Sequence, residues 1–310
     1  MMITIENLVK RYGDLVALDH LNLEIKEGEI FGLLGPNGSG KTTAINCMLA
    51  LLKYDKGTIR IRGQEMRPDS YEIKKEIGVV LQNVAVFEQM TVYENIDYFC
   101  GLYIGDKTKR KQLVEEAIAF VGLEDFVKMR PKKLSGGLLR RLNIACGIAH
   151  KPRLIFMDEP TVAVDPQSRN KILEGILELN RQGSTIIYTS HYMEEVEQIC
   201  SRIAIIDHGR VLATGTGESL KSMIKTGETI TIESVILNET QTEELRQLPH
   251  VFDVQYADQI LKIRCSKGRH NLIRVLNDLQ DQDIAFGRVF SELPTLNDVF
   301  LEITGKQLRD

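Results

Sequence analysis

The sequence predicts an α/β fold: a parallel sheet around a phosphate-binding loop, an antiparallel β layer, a helical insertion, and a small α+β domain at the carboxyl end. Three observations predict it. Gly35-Pro-Asn-Gly-Ser-Gly-Lys41-Thr42-Thr43 fits the pattern G-x-x-x-x-G-K-[ST], between an apolar run that reads as a buried strand (Ile30 to Leu34) and a helix (Thr42 to Leu52). Four short apolar runs lead into functional side chains: Lys41, Gln82, Asp158 with Glu159, and His191. In open parallel sheets, ligands bind at that carboxyl edge. After Thr226-Gly227 these signals stop and a new alternation of strand and helix patterns begins.

Length and composition allow one large domain or two unequal ones: 310 residues, 43% hydrophobic and 26% charged, as in ordinary globular proteins. The net charge of −4 gives no electrostatic basis for nucleic acid as the main partner. No apolar run approaches the ~18 residues that span a bilayer, and the amino terminus lacks a secretory signal, so the chain itself is expected in the cytoplasm. Its five cysteines are scattered without a CxxC pair, which favours buried small hydrophobes over a disulfide framework or a zinc site.

Met2 to Val9 alternates weakly and His20 to Lys26 clearly, with Leu21, Leu23 and Ile25 on one face. Both read as strands of a half-buried antiparallel sheet, to which Thr58 to Ile61 adds another. Tyr12 lies between the first two and by itself reads as a partly packed surface tyrosine. Ile77 to Leu81 is an apolar strand that delivers Gln82. From 83 to about 150 the pattern is helical, with clear periodicity over Glu94 to Tyr103 and Lys111 to Val121. Leu134-Ser-Gly-Gly-Leu-Leu-Arg-Arg141 then opens a helix towards His150. Ser135 suits an N-cap, and Gly136 and Gly137 leave bare N–H groups, so this segment reads equally as a second anion site or as a simple cap. Leu154 to Met157 is an apolar strand ending in Asp158-Glu159, and Ser184 to Thr189 another, ending in Ser190-His191. Asp165-Pro166 suits a helix start, with Asp as cap and Pro in the first position.

Glycines in the first motif let successive N–H groups turn inward on a phosphate, and the following helix adds partial positive charge. Lys41 would reach the β- and γ-phosphates, and the Thr42 hydroxyl would ligate Mg²⁺, so the chain is expected to bind a nucleoside triphosphate. Over roughly residues 1 to 220 these motifs resemble the ATPase subunit of an ATP-binding cassette transporter. Gln82 is similar to the Q-loop glutamine, Leu134 to Gly137 to the LSGG signature, and Leu154 to Glu159 to the acidic Walker B strand. Asp165 falls at the D-loop aspartate, His191 at the switch histidine, and Tyr12 at the aromatic residue on which adenine stacks.

The resemblance implies a phosphate-loop NTPase core with an antiparallel β subdomain and a helical insertion, together forming a cassette domain over 1–226. ATP would contact Tyr12 and the loop residues Gly35, Asn37, Gly38, Ser39, Gly40, Lys41, Thr42 and Thr43. Thr42, Gln82 and Asp158 would hold Mg²⁺; Glu159 would polarise the attacking water, and His191 would contact the γ-phosphate and orient that attack. Ser135, Gly136 and Gly137 would close on the ATP of an opposite subunit, with Asp165 near the subunit contact. The partners implied are therefore a homodimer or paired ATPase subunit and a separate transmembrane permease, which would hold the chain on the inner face of the cell membrane. Two departures stand out: Leu138 occupies a position that is commonly Gln, and Ala163 one that is usually Gly and is expected to stiffen its loop.

From Gly227 onward, strands are expected over Thr229 to Leu237, Val251 to Tyr256, Ile260 to Cys265 and Ile284 to Phe290. Helices are expected over Thr242 to Leu248, Asn271 to Leu279 and Thr295 to Ile303. This 227–310 segment resembles the extension of ATPase subunits serving bacterial drug and antibiotic exporters, as does its ending PTLNDVFLEITGKQLRD, and is expected to be a dimer or regulatory module. The function implied is ATP hydrolysis that powers a membrane exporter of drugs, antibiotics or lipophilic compounds. One rival is a soluble cassette switch in translation or DNA repair, which usually carries two cassettes or long coiled coils. Another is a protein that sequesters a drug with little turnover, which intact Glu159 and His191 argue against.

Overall fold

A strand covered on both faces has no polar side to present, and the runs Ile30–Leu34, Leu154–Asp158 and Thr185–Ser190 are buried at every position. They lie at the centre of the first of two units in the computed structural model, which describes residues 1–305. That unit is Met1–Thr216, and the second begins at Gly217. In chain order the first unit starts with β1 (Ile3–Tyr12), β2 (Leu15–Ile25), β3 (Ile30–Leu34), α1 (Lys41–Met48), β4 (Lys56–Ile61) and β5 (Gln64–Glu65). Next come α2 (Tyr71–Lys74), β6 (Ile77–Val80), α3 (Val92–Gly101), α4 (Lys107–Val121) and α5 (Gly136–Ile148). It ends with β7 (Leu154–Asp158), α6 (Pro166–Arg181), β8 (Thr185–Ser190), α7 (Met193–Ile199), β9 (Arg202–Asp207) and β10 (Arg210–Gly215).

The central sheet has the order β10-β9-β3-β8-β7-β6, parallel except where β10 pairs with β9. A second sheet, β2-β1-β4-β5, is antiparallel throughout. Helix α1 is packed between them. Its Ala44, Ile45, Cys47 and Met48 share one core with Ile5 and Leu21 of the antiparallel sheet and Phe31, Phe156 and Ile187 of the parallel one. Each large apolar side chain buried there contributes roughly 1.5–3 kcal/mol, so α1 and the loop before it are fixed from both sides.

Helices α3, α4 and α5 pack on one another. A capping box starts α3: the Thr91 hydroxyl accepts the Glu94 N–H, and the Glu94 carboxylate accepts the Thr91 N–H. Beyond α5, His150 stacks on Tyr103, with centroids 3.8 Å apart and planes 6° from parallel. Its Nε2 lies 3.1 Å from the Ile77 carbonyl, which ties this helical layer to the start of β6.

The second unit contains α8 (Gly217–Met223), β11 (Thr226–Glu233), α9 (Glu239–Gln247), β12 (Val251–Ala257), β13 (Ile260–Ser266), α10 (Asn271–Asp281), β14 (Val289–Glu292) and α11 (Leu296–Thr304). From β11 to β14 the run is β-α-β-β-α-β, folded as an antiparallel sheet in the order β12-β13-β11-β14, a split β-α-β arrangement. Ile230, Ile232, Leu261 and Ile263 bury one face of it against Leu245, Val275 and Leu279. Because α8 packs on α11, the unit starts one short helix before the Thr226-Gly227 break read from the sequence. Two strand expectations are corrected here. The strand expected to reach Leu237 ends at Glu233, since Ser234 turns into the left-handed region (φ 54°), and Val235 and Leu237 reach the core from a loop. The strand expected from Ile284 begins at Val289; Ile284 is a core anchor outside the ladder. Of the terminal segment compared with exporter ATPases, residues 306–310 lie outside the described residues.

The buried histidine gives a pH test. Burial pushes the His150 imidazole down to about 4 from its ordinary 6.5, against the Ile77 carbonyl, which favours the protonated form. The unfolded chain therefore binds the extra proton between these values, so the stability His150 contributes is full above about pH 6.5 and is lost as the pH falls towards 4. His150→Gln, which cannot titrate, should flatten that decline. The check is the thermal midpoint measured at steps from pH 7 down to 4.5; a slope equal to that of the parent chain would refute the assignment.

Candidate nucleotide site

The order β3-β8-β7-β6 brings four carboxyl ends to one edge of the sheet. Register aligns Leu34 with Ser190 and Asp158 with Thr189, so groups far apart in sequence meet there. In the loop from Gly35, both Gly38 (φ 80°) and Gly40 (φ 108°) occupy the left-handed region, which a residue with a Cβ enters at a cost of about 1 kcal/mol or more. Gly40 is also confined, since a Cβ there would lie 2.8 Å from the Ala17 carbonyl oxygen of β2. Asn37 and Gly38 are exposed, whereas Ser39 is buried with its Oγ lacking a partner. A buried hydroxyl left this way is unusual, and it is a donor that a phosphate oxygen can use.

Lys41 is 4% exposed. Its Nζ donates to the Gly35 carbonyl (2.8 Å) and the Pro36 carbonyl (3.2 Å) and lies 3.3 Å from Glu159 Oε1. Burial pushes its ammonium down, and the Glu159 and Asp158 carboxylates oppose that shift. The Thr42 hydroxyl donates to Asp158 Oδ2 at 2.9 Å, and Thr43 follows it in the first turn of α1.

Glu159 is where the edge converges. Its Oε2 accepts from Gln82 Nε2 at 3.2 Å and lies 3.5 Å from His191 Nδ1. Its backbone has φ 46°, a strained setting for a side-chain-bearing residue that its surroundings must hold, at a cost of order 1–3 kcal/mol. One restraint is Thr189 of β8, whose Oγ1 accepts the Glu159 N–H (2.9 Å) and donates to Asp158 Oδ1 (2.6 Å).

Ser135 precedes α5, and Gly136 and Gly137 open it. The Ser135 hydroxyl accepts the Leu138 N–H at 3.3 Å, capping α5. Gly137 abuts the start of α6, where a Cβ would come 2.5 Å from Ser168 Oγ. Asp165 caps α6 by accepting the Ser168 N–H at 2.9 Å, which, with the Ser168 hydroxyl, holds its carboxyl below the usual range. Among the described residues, no hydrogen bond or ion pair joins Ser135, Gly136, Gly137 or Asp165 to the loop from Gly35 to Thr43. Tyr12 ends β1 at 48% exposure, with Lys10 Nζ 5.0 Å from its ring centre. Ala163 has φ 58°, so the loop accepts backbone strain at the position where the resembled family usually has glycine.

Sequence reading passed over Arg140. It is 4% exposed and donates to four carbonyls: Leu81 and Gln82 (both 2.9 Å), Glu159 (2.6 Å) and Pro160 (2.8 Å). One guanidinium thus fastens the backbones that carry Gln82 and Glu159 to each other. The signal was present: Arg140 falls in phase with buried Gly137, Ile144 and Ile148 along α5, where a solvated arginine would not be placed.

The fold and this edge define a phosphate-loop ATPase. A family model described as ABC transporter matches residues 18–162. The chain is 39% identical to the linearmycin resistance ATP-binding protein LnrL of Bacillus subtilis strain 168, over 100% of both chains. It is 35% identical to the Nod factor export ATP-binding protein I of Rhizobium sp. strain N33, covering 99% of this chain and 98% of that one. It is 32% identical to the daunorubicin resistance ATP-binding protein DrrA3 of Streptomyces coeruleorubidus, covering 99% and 97%. A dimeric cassette described as a post-hydrolysis state bound to ADP and phosphate matches with a TM-score of 0.64 and 29% identity, over 69% of this chain and 98% of that one. The chain belongs to the ABC transporter family, as an ATP-binding and ATP-hydrolysing subunit that powers transport. Among the described residues, no helix is long and apolar enough to cross a membrane.

Arg140→Lys should separate fork geometry from charge. Lysine keeps the charge but cannot span four carbonyls, and each buried carbonyl left unpaired costs about 1–3 kcal/mol. The variant should unfold at lower urea and turn over ATP more slowly, because Gln82 and Glu159 lose a common tether. Parent-like values in both assays would show that the carbonyls find other donors.

Proposed function

We propose that this chain drives export of a lipophilic or amphipathic compound through a separate membrane-spanning subunit, hydrolysing ATP at paired sites in a dimer. One observation carries the reading: Lys41, Gln82 and His191 all lie 3.2–3.5 Å from the buried Glu159 carboxylate. Lys41, now satisfied by two loop carbonyls, would turn to the β- and γ-phosphates of ATP, freeing Glu159 to polarise a water. His191 would contact the γ-phosphate and orient the attack, and adenine would stack on Tyr12. Asn37, Ser39 and the loop N–H groups would cradle the phosphates. Mg²⁺ bound with ATP would be held by Thr42 and Asp158, supported by Gln82, and would supply charge neutralisation at the β- and γ-oxygens.

Among the described residues, the lack of any hydrogen bond or ion pair from Ser135, Gly136 or Gly137 to the phosphate loop supports their use on the ATP of a second subunit. Asp165, beside Gly137, would then lie near the contact. Similar cassettes are described as dimeric. The relatives named for linearmycin and daunorubicin resistance support the substrate class, and the Nod factor export proteins support outward transport. A permease would place the chain on the inner face of the cell membrane, and the second unit would act as a dimer or regulatory module.

Glu159→Gln keeps size and hydrogen bonding but removes the carboxylate. Turnover should fall by roughly 10²-fold or more while ATP affinity survives, the scale for losing a general base. With ATP retained, the variant should shift towards dimer on a sizing column. Near-normal hydrolysis would remove Glu159 from the catalytic role. For the export reading, cells expressing the parent chain with its membrane-spanning subunit should tolerate a lipophilic antibiotic that cells expressing the Glu159→Gln chain do not. Equal sensitivity across a panel of such compounds would count against this substrate class.

A further inference from the structure

A second buried carboxylate lies behind the site, and the mechanism above does not use it. Glu195 of α7 is 3% exposed. Its Oε2 accepts three hydroxyls: Tyr188 (2.6 Å), Thr161 (2.7 Å) and Ser190 (3.2 Å). Arg169 of α6 places Nε 3.2 Å from Oε1. Each of these groups belongs to a segment that carries a site residue. Thr161 follows Glu159 by two positions, Ser190 precedes His191, and Arg169 is one helical turn beyond Asp165.

The contacts close a circuit around His191. Ser190 Oγ, while donating to Glu195, accepts the Tyr192 N–H at 2.9 Å, which pins the turn on both sides of His191. The His191 ring lies against the Tyr192 ring, centroids 4.1 Å apart. The Tyr192 ring also has the Arg169 guanidinium 4.8 Å from its centre, and Arg169 returns to Glu195. A carboxylate with this little exposure needs such compensation, and removing one partner leaves a charge that the others must re-form around.

We propose that Glu195 is a positioning residue for hydrolysis. It fixes the His191 turn relative to the Glu159 segment and, through Arg169, makes that position depend on the helix capped by Asp165. This rests on the role given to His191 above. A shift at the start of α6, next to Gly137, would reach His191 through the Arg169–Glu195 pair. The effect is on the reacting geometry rather than on ATP binding, since none of these groups belongs to the phosphate loop.

The test is a double-mutant cycle on the full chain, reading kcat, KM and the dissociation constant for a fluorescent ATP analogue. Glu195→Ala should lower kcat by up to ~10²-fold, the loss that a misplacement of about 1 Å can cause, with nucleotide affinity unchanged. Glu195→Gln, which keeps one acceptor oxygen, should recover part of that loss. In a His191→Ala background, Glu195→Ala should cost nothing further, because the two act as a unit. A full additional loss in that background would overturn the inference. Should Glu195→Ala fail to fold, Arg169→Gln carries the test at a side chain with 32% exposure, with kcat expected to fall at constant affinity. Parent-like kcat in Arg169→Gln, alongside a His191→Ala chain whose kcat is lowered but measurable, would overturn this inference alone. Parent-like turnover in His191→Ala would overturn the role of His191 and this inference with it.

Discussion

The Lys41–Glu159 pair places opposite charges 3.3 Å apart where both side chains are almost wholly buried, and the site depends on how that pair is compensated. Taking two ions out of water is expensive, and their mutual attraction repays it only when the remaining donors and acceptors are met. Two loop carbonyls meet the ammonium; Gln82 and Thr189 supply donors and acceptors around the Glu159 segment. An arrangement of this kind is satisfied without a ligand yet exchangeable. On the proposed reading, a triphosphate would offer Lys41 stronger acceptors than carbonyls, and the carboxylate so released would face Gln82 and His191.

Around that pair, side chains that bond backbone add to the apolar packing that fixes α1. Loops at a sheet edge expose carbonyls that no ladder satisfies, and buried ones must find donors. Arg140 supplies four such bonds from one side chain, and Thr189 links Asp158 to the Glu159 N–H. Behind them, Glu195 gathers hydroxyls from β8 and from Thr161, two positions beyond Glu159. The apolar core beneath, in which α1 is wedged between two sheets, supplies the rigid floor. The strained φ values of Glu159 and Ala163 are tolerable on such a floor because the surroundings over-determine them.

The second unit follows a different logic. It buries one face of an antiparallel sheet under two helices and has its own core. Ser234 and Ile284 show why its strands were misread. An apolar residue that anchors a core from a loop gives the same local pattern as one in a ladder. A single left-handed residue can end a strand without changing hydrophobicity.

What the sequence determined by itself was local. Glycine spacing, capping residues and apolar runs are short-range constraints, so the phosphate loop, the caps at Ser135 and Asp165 and the buried strands were legible from residue type alone. The family resemblance added the roles proposed for Gln82, Glu159 and His191. Tertiary structure decided what depends on register and on partners distant in the chain. The phase of Arg140 along α5 marked it as buried, but its carbonyl partners, like the hydroxyls gathered by Glu195, come from other segments and are set only by the tertiary fold. The approach of Gly137 to the start of α6 was likewise beyond any spacing rule, because it joins parts of the chain that are distant in sequence.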